Sequence, residues 1–383
     1  MPWKETCLMD EKIKFIAMIK SGIYDFSSTC RQFGISRQAG YELMRRYEAH
    51  GERALAPRSR ARHTQQTIDD AVAKSLLEVK ARFVHFGPRK VRDYLVMNGY
   101  TQALPAVSTI GELFRRHGLV RARGKRRARS APTSQPLRHA AAPNMVWSVD
   151  FKGQFRLGNG EWCYPLTLSD NASRYLLVCH GLAHPTEAGV WPQFRRAFEQ
   201  YGLPEALRSD NGAPFASTAL GGLTRLAVWL LKLGITLERI TPGRPDQNGR
   251  HERMHRTLKA YLPPIRHSLA AQRRALELFR RHYNLERPHE ALDGVAPGHH
   301  YTRSPRPYPT RVQAPEYGKD IEVRRVRSNG QIKWRGHRVF VSQALIGELI
   351  GLQQIDDARC QLLFCNMRLG VINERLSTVE RLG

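Results

Sequence analysis

Three carboxylates that lie far apart in the 383-residue sequence stand in local patterns suited to chemistry on phosphate esters. Asp150 lies within a predicted strand, Asp210 ends another, and Glu252 lies in the first turns of a predicted helix. Carboxylates gathered at one point repel each other, so such a cluster implies divalent cations, and all-oxygen ligands favour Mg²⁺ or Mn²⁺. We expect two Mg²⁺ ions, for which Mn²⁺ could substitute, because such a pair clamps the attacking and leaving oxygens of a phosphoryl transfer.

Each acid alone also has an ordinary structural explanation. Asp150 could face outward from an edge strand, and the Asp-Asn-Gly run at 210–212 is typical of a turn. Glu252 could simply pair with Arg256 on the next turn of its helix. Only the three acids taken together predict catalysis.

The helix that carries Glu252 has two contrasting sides. At 100° per residue, the side away from Glu252 holds Met254, Leu258 and Tyr261. Within about 60° of Glu252 lie His255, Arg256 and Lys259. We therefore predict that Glu252 points away from the core and that these three neighbours contact DNA.

The elements that would position the acids are those of an α/β domain. Apolar residues alternate from Met145 to Phe151, which predicts a strand with Asp150 opposite its apolar face. Asn159-Gly160 predicts a hairpin turn, and strands over 163–168 and 175–179 follow. Helices at 187–201 and 223–233 then alternate with strands reaching 210 and spanning 235–240, before a long helix from about Gln247. This order predicts a mixed five-stranded sheet.

The N-terminal region has helical periodicity and a turn signal at Gly34-Ile35-Ser36. A helix-turn-helix would place Arg37, Gln38 and Tyr41 of its second helix in the major groove, whereas the alternative is a three-helix bundle used only for packing. A second helical stretch over 68–98 precedes a segment, Ser108 to His117, that Ser108 would cap and Gly118 would end. We interpret it as another helix-turn-helix-like module.

Charge points to a polyanionic partner. The chain has 61 Lys and Arg against 34 Asp and Glu, a net charge of +27, and double-stranded DNA is the leading candidate. A basic linker that tethers the domains, and that could also follow phosphates, contains Arg121, Arg123, Lys125, Arg126, Arg127 and Arg129. Beyond residue 301, short β-rich runs predict a small barrel or sandwich whose basic residues form either a solvated face or a second nucleic-acid surface.

Four motifs occur in an order that is similar to one known family. The sequences WSVDFKG, RSDNGAPF, TPGRPDQNGRHERMHRTLK and YNLERPHEAL resemble the catalytic core of DDE-type insertion-sequence transposases, which is retroviral-integrase-like and has a ribonuclease H-like fold. The resemblance implies that Asp150, Asp210 and Glu252 bind the metals and that Lys259 contacts the DNA end. The 41 residues between Asp210 and Glu252 exceed the usual spacing, so we expect a longer helix or loop near 221–233.

The resemblance also implies a multidomain layout. We expect a helix-turn-helix domain at 1–62, a second helical domain at 63–120, the basic linker at 121–143, the catalytic core at 144–300 and a small β-barrel-like domain at 301–383.

The expected function is that of a transposase in the bacterial cytoplasm, associated with the nucleoid. It would bind terminal inverted repeats, hydrolyse the 3′-end phosphodiester and transfer the strand into target DNA, as a homo-oligomer on DNA and without a membrane partner. One alternative is a catalytically silent DNA-binding regulator derived from a transposase, and another is a structure-specific nuclease of the ribonuclease H-like fold. The absence of any CxxC pair argues against a structural zinc site.

Overall fold

The structure, a computed structural model, describes residues 8–56, 68–120, 137–217, 219–241, 245–356, 359–373 and 378–381. The chain divides into two compact units, Met1–Thr67 and Ile68–Gly383. Within the described ranges, no helix is both long and apolar enough to cross a membrane.

The smaller unit is a helix-turn-helix, as the sequence predicts. Its helices are α1 (Leu8–Lys20), α2 (Phe26–Gln32) and α3 (Arg37–His50). Gly34, with a φ of 64°, forms the turn, and Ser36 caps α3 by accepting a hydrogen bond from the Ala39 amide. Gly40 allows close helix packing, because a Cβ at this position would lie 2.7 Å from Cys30 Sγ.

Three further helices begin the larger unit and pack around their own apolar core. They are α4 (Asp70–Arg82), α5 (Pro88–Met97) and α6 (Val107–Arg116). The core residues are Val72, Leu76, Phe86, Val91, Ile110 and Phe114. The helices lie where the sequence predicts, but the predicted cap is wrong: α6 follows Ala106, and Ser108 lies within the helix. Gly118, with a φ of 67°, follows its end.

The central domain contains one mixed sheet. Its elements are β1 (Val146–Phe151), β2 (Phe155–Arg156), β3 (Trp162–Asp170), β4 (Leu176–Leu182), α7 (Glu187–Tyr201), β5 (Ala206–Ser209), α8 (Arg225–Lys232) and β6 (Thr236–Arg239). The strand order is β4-β3-β1-β5-β6, and β2 pairs with β3 beyond the end of β1. The first strands are antiparallel, whereas β1, β5 and β6 are parallel, which confirms the predicted mixed sheet.

Two helices follow where the sequence predicts a single long one. They are α9 (Gly249–Tyr261) and α10 (Leu269–Leu285), and they pack on β4. Helix α7 and helix α8 pack around Trp147 and Val149 of β1. Val146 and Ser148, which point the other way, are fully buried too. The first four residues of β1 are therefore buried on both faces, unlike the one-sided strand that alternation predicts, and only Asp150 and Phe151 at its end are half-buried.

The C-terminal domain is a small β structure, as predicted. Its strands are β7 (Glu322–Arg325), β8 (Gln331–Trp334), β9 (His337–Phe340), β10 (Leu349–Gln354), β11 (Arg359–Phe364), β12 (Met367–Asn373) and β13 (Thr378–Arg381). Five form an antiparallel sheet in the order β13-β12-β11-β10-β7, and β8 pairs with β9. The β8–β9 hairpin contacts β7 and β13, which gives a barrel-like enclosure.

The segment between β5 and β6 joins this domain to the central domain. Leu220, Leu223 and Val228 are buried in the same cluster as the barrel core, and Lys232 Nζ lies 2.8 Å from a carboxylate oxygen of Glu348. Helix α8 has only eight residues, so the extra length of this segment lies in the loop before it. The expected longer loop therefore serves as a docking surface for the C-terminal domain.

Candidate active site

Asp150 and Asp210 lie beside each other because their strands are parallel. Val146 pairs with Ala206 and Ser148 with Arg208, so the same register carried two residues further places Asp150 opposite Asp210. Neighbouring strands are about 4.8 Å apart, and both residues are at the carboxyl ends of their strands. This is the edge at which α/β sheets place their ligands.

The loop after β5 is held by the residues that follow Asp210. The Gly212 amide donates to Asp210 Oδ1 at 3.2 Å, and the Asn211 side-chain amide donates to Ile240 O at 2.6 Å. A Cβ on residue 212 would lie 3.0 Å from Asp210 Oδ2, so glycine leaves room for the carboxylate. The Asp-Asn-Gly run therefore fixes the loop and links the ends of β5 and β6.

Glu252 lies in the first turn of α9 and is exposed. Met254 and Leu258 are buried on the other side of the helix, as predicted. The prediction for His255 is wrong, because only 8% of its surface is exposed and it points into the domain. On the helical wheel His255 lies at the edge of the 60° sector around Glu252. The exposed side of α9 ends within this sector, so His255 is on the buried side.

A hydroxyl at the centre of the site joins three elements. Thr167 of β3 donates to Asp150 O at 3.0 Å. The same oxygen lies 2.8 Å from His251 Nε2 and 2.7 Å from His255 Nε2. A hydroxyl carries one proton, so both imidazoles reach Thr167 as donors. Ser169 lies 2.8 Å from His251 Nδ1, which is then an acceptor. Through Thr167, the backbone of Asp150 is joined to the first turns of α9.

Neither histidine neutralises the nearby carboxylate. Burial lowers the pKa of His255 to about 3 and that of His251 well below its usual value, so both rings are neutral. His255 Nδ1 lies 3.7 Å from Asp150 Oδ2, too far for a hydrogen bond. The sequence analysis missed Thr167 and His251, although two histidines four residues apart on one helix are a recognisable signal.

The negative charges of Asp210 and Glu252 both act on the carboxyl group of Asp150. The pKa of Asp150 is raised to about 7, first by burial and then by the negative charge of Asp210, with Glu252 adding to it. Repulsion of this kind is relieved by a cation placed among the oxygens. Among the described residues, no group of three or more His, Cys, Asp or Glu side chains is gathered closely enough to hold one metal ion. The donor chemistry and the unrelieved repulsion fit divalent cations, and the three acids would have to close further around them.

The predicted DNA-contacting residues are exposed in most cases. Arg37, Gln38 and Tyr41 lie in the first turns of α3, and Tyr41 is 56% exposed with its ring stacked on Phe26.

On α9, Arg256 and Lys259 are exposed. Arg256 also lines a cavity of about 720 Å³ together with Arg82 and Arg266. The predicted residues Arg121, Arg123, Lys125, Arg126, Arg127 and Arg129 lie outside the described residues.

In the C-terminal domain, basic residues line one cavity of about 660 Å³: Arg324, Arg325, Arg327, Lys333 and Arg335.

A mixed sheet with acidic residues at the ends of two parallel strands, and a third acid on a helix packed against it, defines a ribonuclease H-like, integrase-type core. Models of the integrase core domain match residues 140–245 and 233–297. A helix-turn-helix domain matches 11–63, and the C-terminal domain of IS481 family transposases matches 321–380.

Relatives give the same result. The chain is 30% identical over 234 residues to the insertion element IS407 uncharacterized 31.7 kDa protein of Burkholderia multivorans, covering 60% of this chain and 80% of the relative. It is 28% identical to the insertion element IS476 uncharacterized 39.2 kDa protein of Xanthomonas euvesicatoria, covering 59% of this chain and 63% of the relative. The chain belongs to the insertion-sequence transposases that contain an integrase core. A solved structure of the HTLV-2 integrase catalytic core domain in complex with magnesium is 16% identical, with a TM-score of 0.34, and covers 43% of this chain and 100% of that one.

Proposed function

We propose that this chain is a DDE transposase that cleaves the phosphodiester at each 3′ end of its element and joins that end to target DNA. The observation that carries the proposal is the register of β1 and β5, which sets Asp150 beside Asp210 at the sheet edge next to Glu252. Carboxylates that repel one another at one edge of a sheet suit metal-assisted phosphoryl transfer.

In this proposal Asp150, Asp210 and Glu252 hold two divalent cations, with Mg²⁺ preferred. When bound, these ions supply Lewis-acid activation of the attacking oxygen and stabilisation of the departing 3′ oxygen. The protein positions the reacting groups: Thr167 and the histidine pair fix α9 against β1, and Asn211 fixes the loop that carries Asp210. Water is the nucleophile in the first reaction, and the freed 3′ hydroxyl is the nucleophile in the second.

DNA recognition is assigned to the helical modules and basic residues. Arg37, Gln38 and Tyr41 are exposed at the start of α3, the position that reads base edges in helix-turn-helix proteins. Arg256 and Lys259 are exposed on the helix that carries Glu252, so we assign them to phosphates near the cleaved bond. His255 is left out of this set, because it is buried. The net charge of +27 suits binding to both element and target DNA.

The domain layout proposed from the sequence is supported by where the family models match. The helix-turn-helix match ends at residue 63 and the C-terminal match begins at residue 321. Two element ends must be processed together, so we propose a homo-oligomer assembled on DNA. The substrate would place the reaction at the bacterial nucleoid.

The test is nicking of a labelled duplex that carries the element's end, in Mg²⁺. Asp210→Ala should lower the nicking rate by at least about 1,000-fold while binding to the same duplex persists. Asp320→Asn, at an exposed residue outside the site, is the matched control and should nick normally. Normal nicking by Asp210→Ala would refute the catalytic assignment.

The alternatives predict different binding and cleavage. A silent regulator would bind the element end but never nick it. A structure-specific nuclease would bind random duplex and element end equally well across a salt series. The presence of all three acids favours the transposase over the regulator.

A further inference from the structure

The segment YNLERPHEAL, singled out in the sequence, has no role in the site described above. It covers the end of α10 and the loop that follows. Tyr283, Arg287 and His289 of this segment line a cavity of about 480 Å³ together with α5, α9 and the turn between β3 and β4. The cavity lies within the larger unit, at the contact between its first three helices and the catalytic domain.

The charge of this cavity is strongly positive. Five cationic side chains from four segments line it: Lys90, Arg174, Arg250, Arg253 and Arg287. In the part of the chain that the structure describes, no carboxylate lies within 4 Å of any of them. The one acid in the lining, Glu290, is paired with Arg89 at 2.5 Å.

The cations are held in place by the fold. Lys90 donates to Pro288 O, Arg250 donates to Asn171 O at 2.8 Å, and Arg287 lies over the ring of Phe86. These contacts are to carbonyl oxygens and an aromatic face, which orient the side chains without pairing any of them with a carboxylate.

Mutual repulsion and burial make this arrangement of charges costly. Burial, with the charges of Arg287 and Arg253, lowers the pKa of Lys90 to about 8. Burial and Arg250 lower the pKa of Arg174 to about 10. An anion in the cavity would remove this cost.

A neutral donor or acceptor is also available. His289 lines the cavity, and its Nε2 is buried without a hydrogen-bond partner among the described residues. Buried polar atoms normally have a partner, so an unpaired one that lines a cavity suggests that a ligand supplies it. Burial, then Lys90, lowers the pKa of His289 to about 3, so the ring is neutral.

We propose that this cavity binds one backbone phosphate of the element's DNA, on the side of α9 away from the cleaved bond. Arg253 follows Glu252 directly and is turned by about 100° around the helix, so the two lie on different faces of α9. A phosphate there would contact both α5 and α9. The domain formed by α4, α5 and α6 would then help to position the DNA end. The inference rests on the proposed function, since it takes the ligand to be the substrate duplex.

The experiment scans the phosphates of the element end with methylphosphonate, a neutral replacement, one position at a time. Binding is measured with Ca²⁺ in place of Mg²⁺, so that no cleavage is required. For the unmodified protein we expect one position to lower affinity about 10-fold, the effect of losing one charged hydrogen-bonding contact. Arg253→Gln should weaken binding to native DNA by a similar factor. The affinity of this variant should no longer change when methylphosphonate is placed at that position.

Salt dependence gives a second readout. Arg253→Gln should reduce the slope of log affinity against log salt by about 0.9, the value for one phosphate. Arg274→Gln, which removes an exposed arginine of α10 outside the cavity, is the control and should leave the position-specific effect intact. Lys90→Gln should reproduce the Arg253→Gln result from the other helix, and circular dichroism checks that each variant is folded.

The inference is overturned if every methylphosphonate weakens Arg253→Gln and the unmodified protein equally. It is also overturned if inorganic phosphate, at fixed ionic strength, binds the cavity while DNA binding is indifferent to Arg253 and Lys90. Failure of the catalytic assignment would look different, because Asp210→Ala would then nick DNA whatever the binding scan shows.

Discussion

Helix α9 has polar residues on two sides, and the two sides differ in burial and in charge. On one side, His251 and His255 are buried, neutral and hydrogen-bonded to a single threonine hydroxyl. On the other, Arg250 and Arg253 face a cavity lined by three further cations, and none of these five is paired with a carboxylate of a described residue. The first side is satisfied internally, and the second leaves charge for a ligand.

The polar side chains of α9 therefore divide between those that stabilise the fold and those that are available to a ligand. A buried donor with a partner contributes to a unique packing, whereas removing that partner costs about 1–3 kcal/mol. Like charges that face each other without forming ion pairs cost free energy in the unliganded protein. Four substitutions would distinguish the two sides by their effect on stability.

Replacing Thr167 by valine should lower the free energy of unfolding by about 4 kcal/mol. The change keeps the shape but leaves two buried imidazole donors without an acceptor, at about 2 kcal/mol each. Urea unfolding measures it, and Thr167→Ser, which keeps the hydroxyl, is the control. If the valine variant unfolds within 1 kcal/mol of the parent, Thr167 is not the link between β1 and α9.

Leu258→Ala should cost about 3 kcal/mol, because Leu258 is fully buried between β4 and α10. Lys259→Ala, one residue further on the exposed side, should change stability by less than about 0.5 kcal/mol. The same urea titration measures both. Equal effects would show that the packing side of α9 is placed wrongly.

Lys90→Met should stabilise the protein by about 2 kcal/mol at pH 7, after allowance for solvent screening. The pKa of Lys90 is lowered from 10.5 to about 8, so the folded state disfavours its charge below pH 8, and the penalty disappears as pH rises from 8 to 10.5. The difference in free energy of unfolding between Lys90→Met and the parent should therefore decrease between pH 8 and 10.5. The charged and titratable groups facing Lys90 are Asp93, Arg253, Arg287, His289 and Glu290.

The control for that measurement is Lys74→Met, at an exposed residue of α4, which should show no such window. A constant difference between Lys90→Met and the parent from pH 7 to 10.5 would mean that Lys90 does not carry a lowered pKa.

Arg253→Gln should change the free energy of unfolding by less than about 0.5 kcal/mol, with a small stabilisation, because one of several like charges is removed. DNA affinity should fall about 10-fold in the same variant. Thermal unfolding without DNA gives the first quantity and anisotropy titration the second. A loss of stability comparable to that of Leu258→Ala would make Arg253 a structural residue.

Sequence reasoning located the acids but not what surrounds them. Asp150 and Asp210 follow apolar strand patterns, so the sheet edge that holds them could be predicted. His255 was misplaced because a helical wheel assigns the core to apolar residues and does not show that Thr167, 88 positions away, satisfies a buried imidazole.

Clusters of residues that are distant in the sequence could not be predicted, because local patterns do not show which of them meet in the fold. The five cations of the phosphate cavity lie between residues 90 and 287, and no local pattern relates them. Helix α10 did leave a signal: Ser268 caps it, and Leu276, Phe279 and Tyr283 recur at helical spacing. In the C-terminal domain, β10 and β12 each contain a glycine, which weakens the strand pattern that the sequence shows there.

The shared apolar cluster of Leu220, Leu223 and Val228 with the C-terminal barrel means that separating the two domains would expose these side chains to water. The same packing links the domain that holds the basic cavity beside Arg324 and Lys333 to the domain whose sheet edge carries the carboxylates. If one duplex contacts both the basic cavity and the carboxylates, we expect a fixed number of base pairs between the nick and the contact with the C-terminal domain.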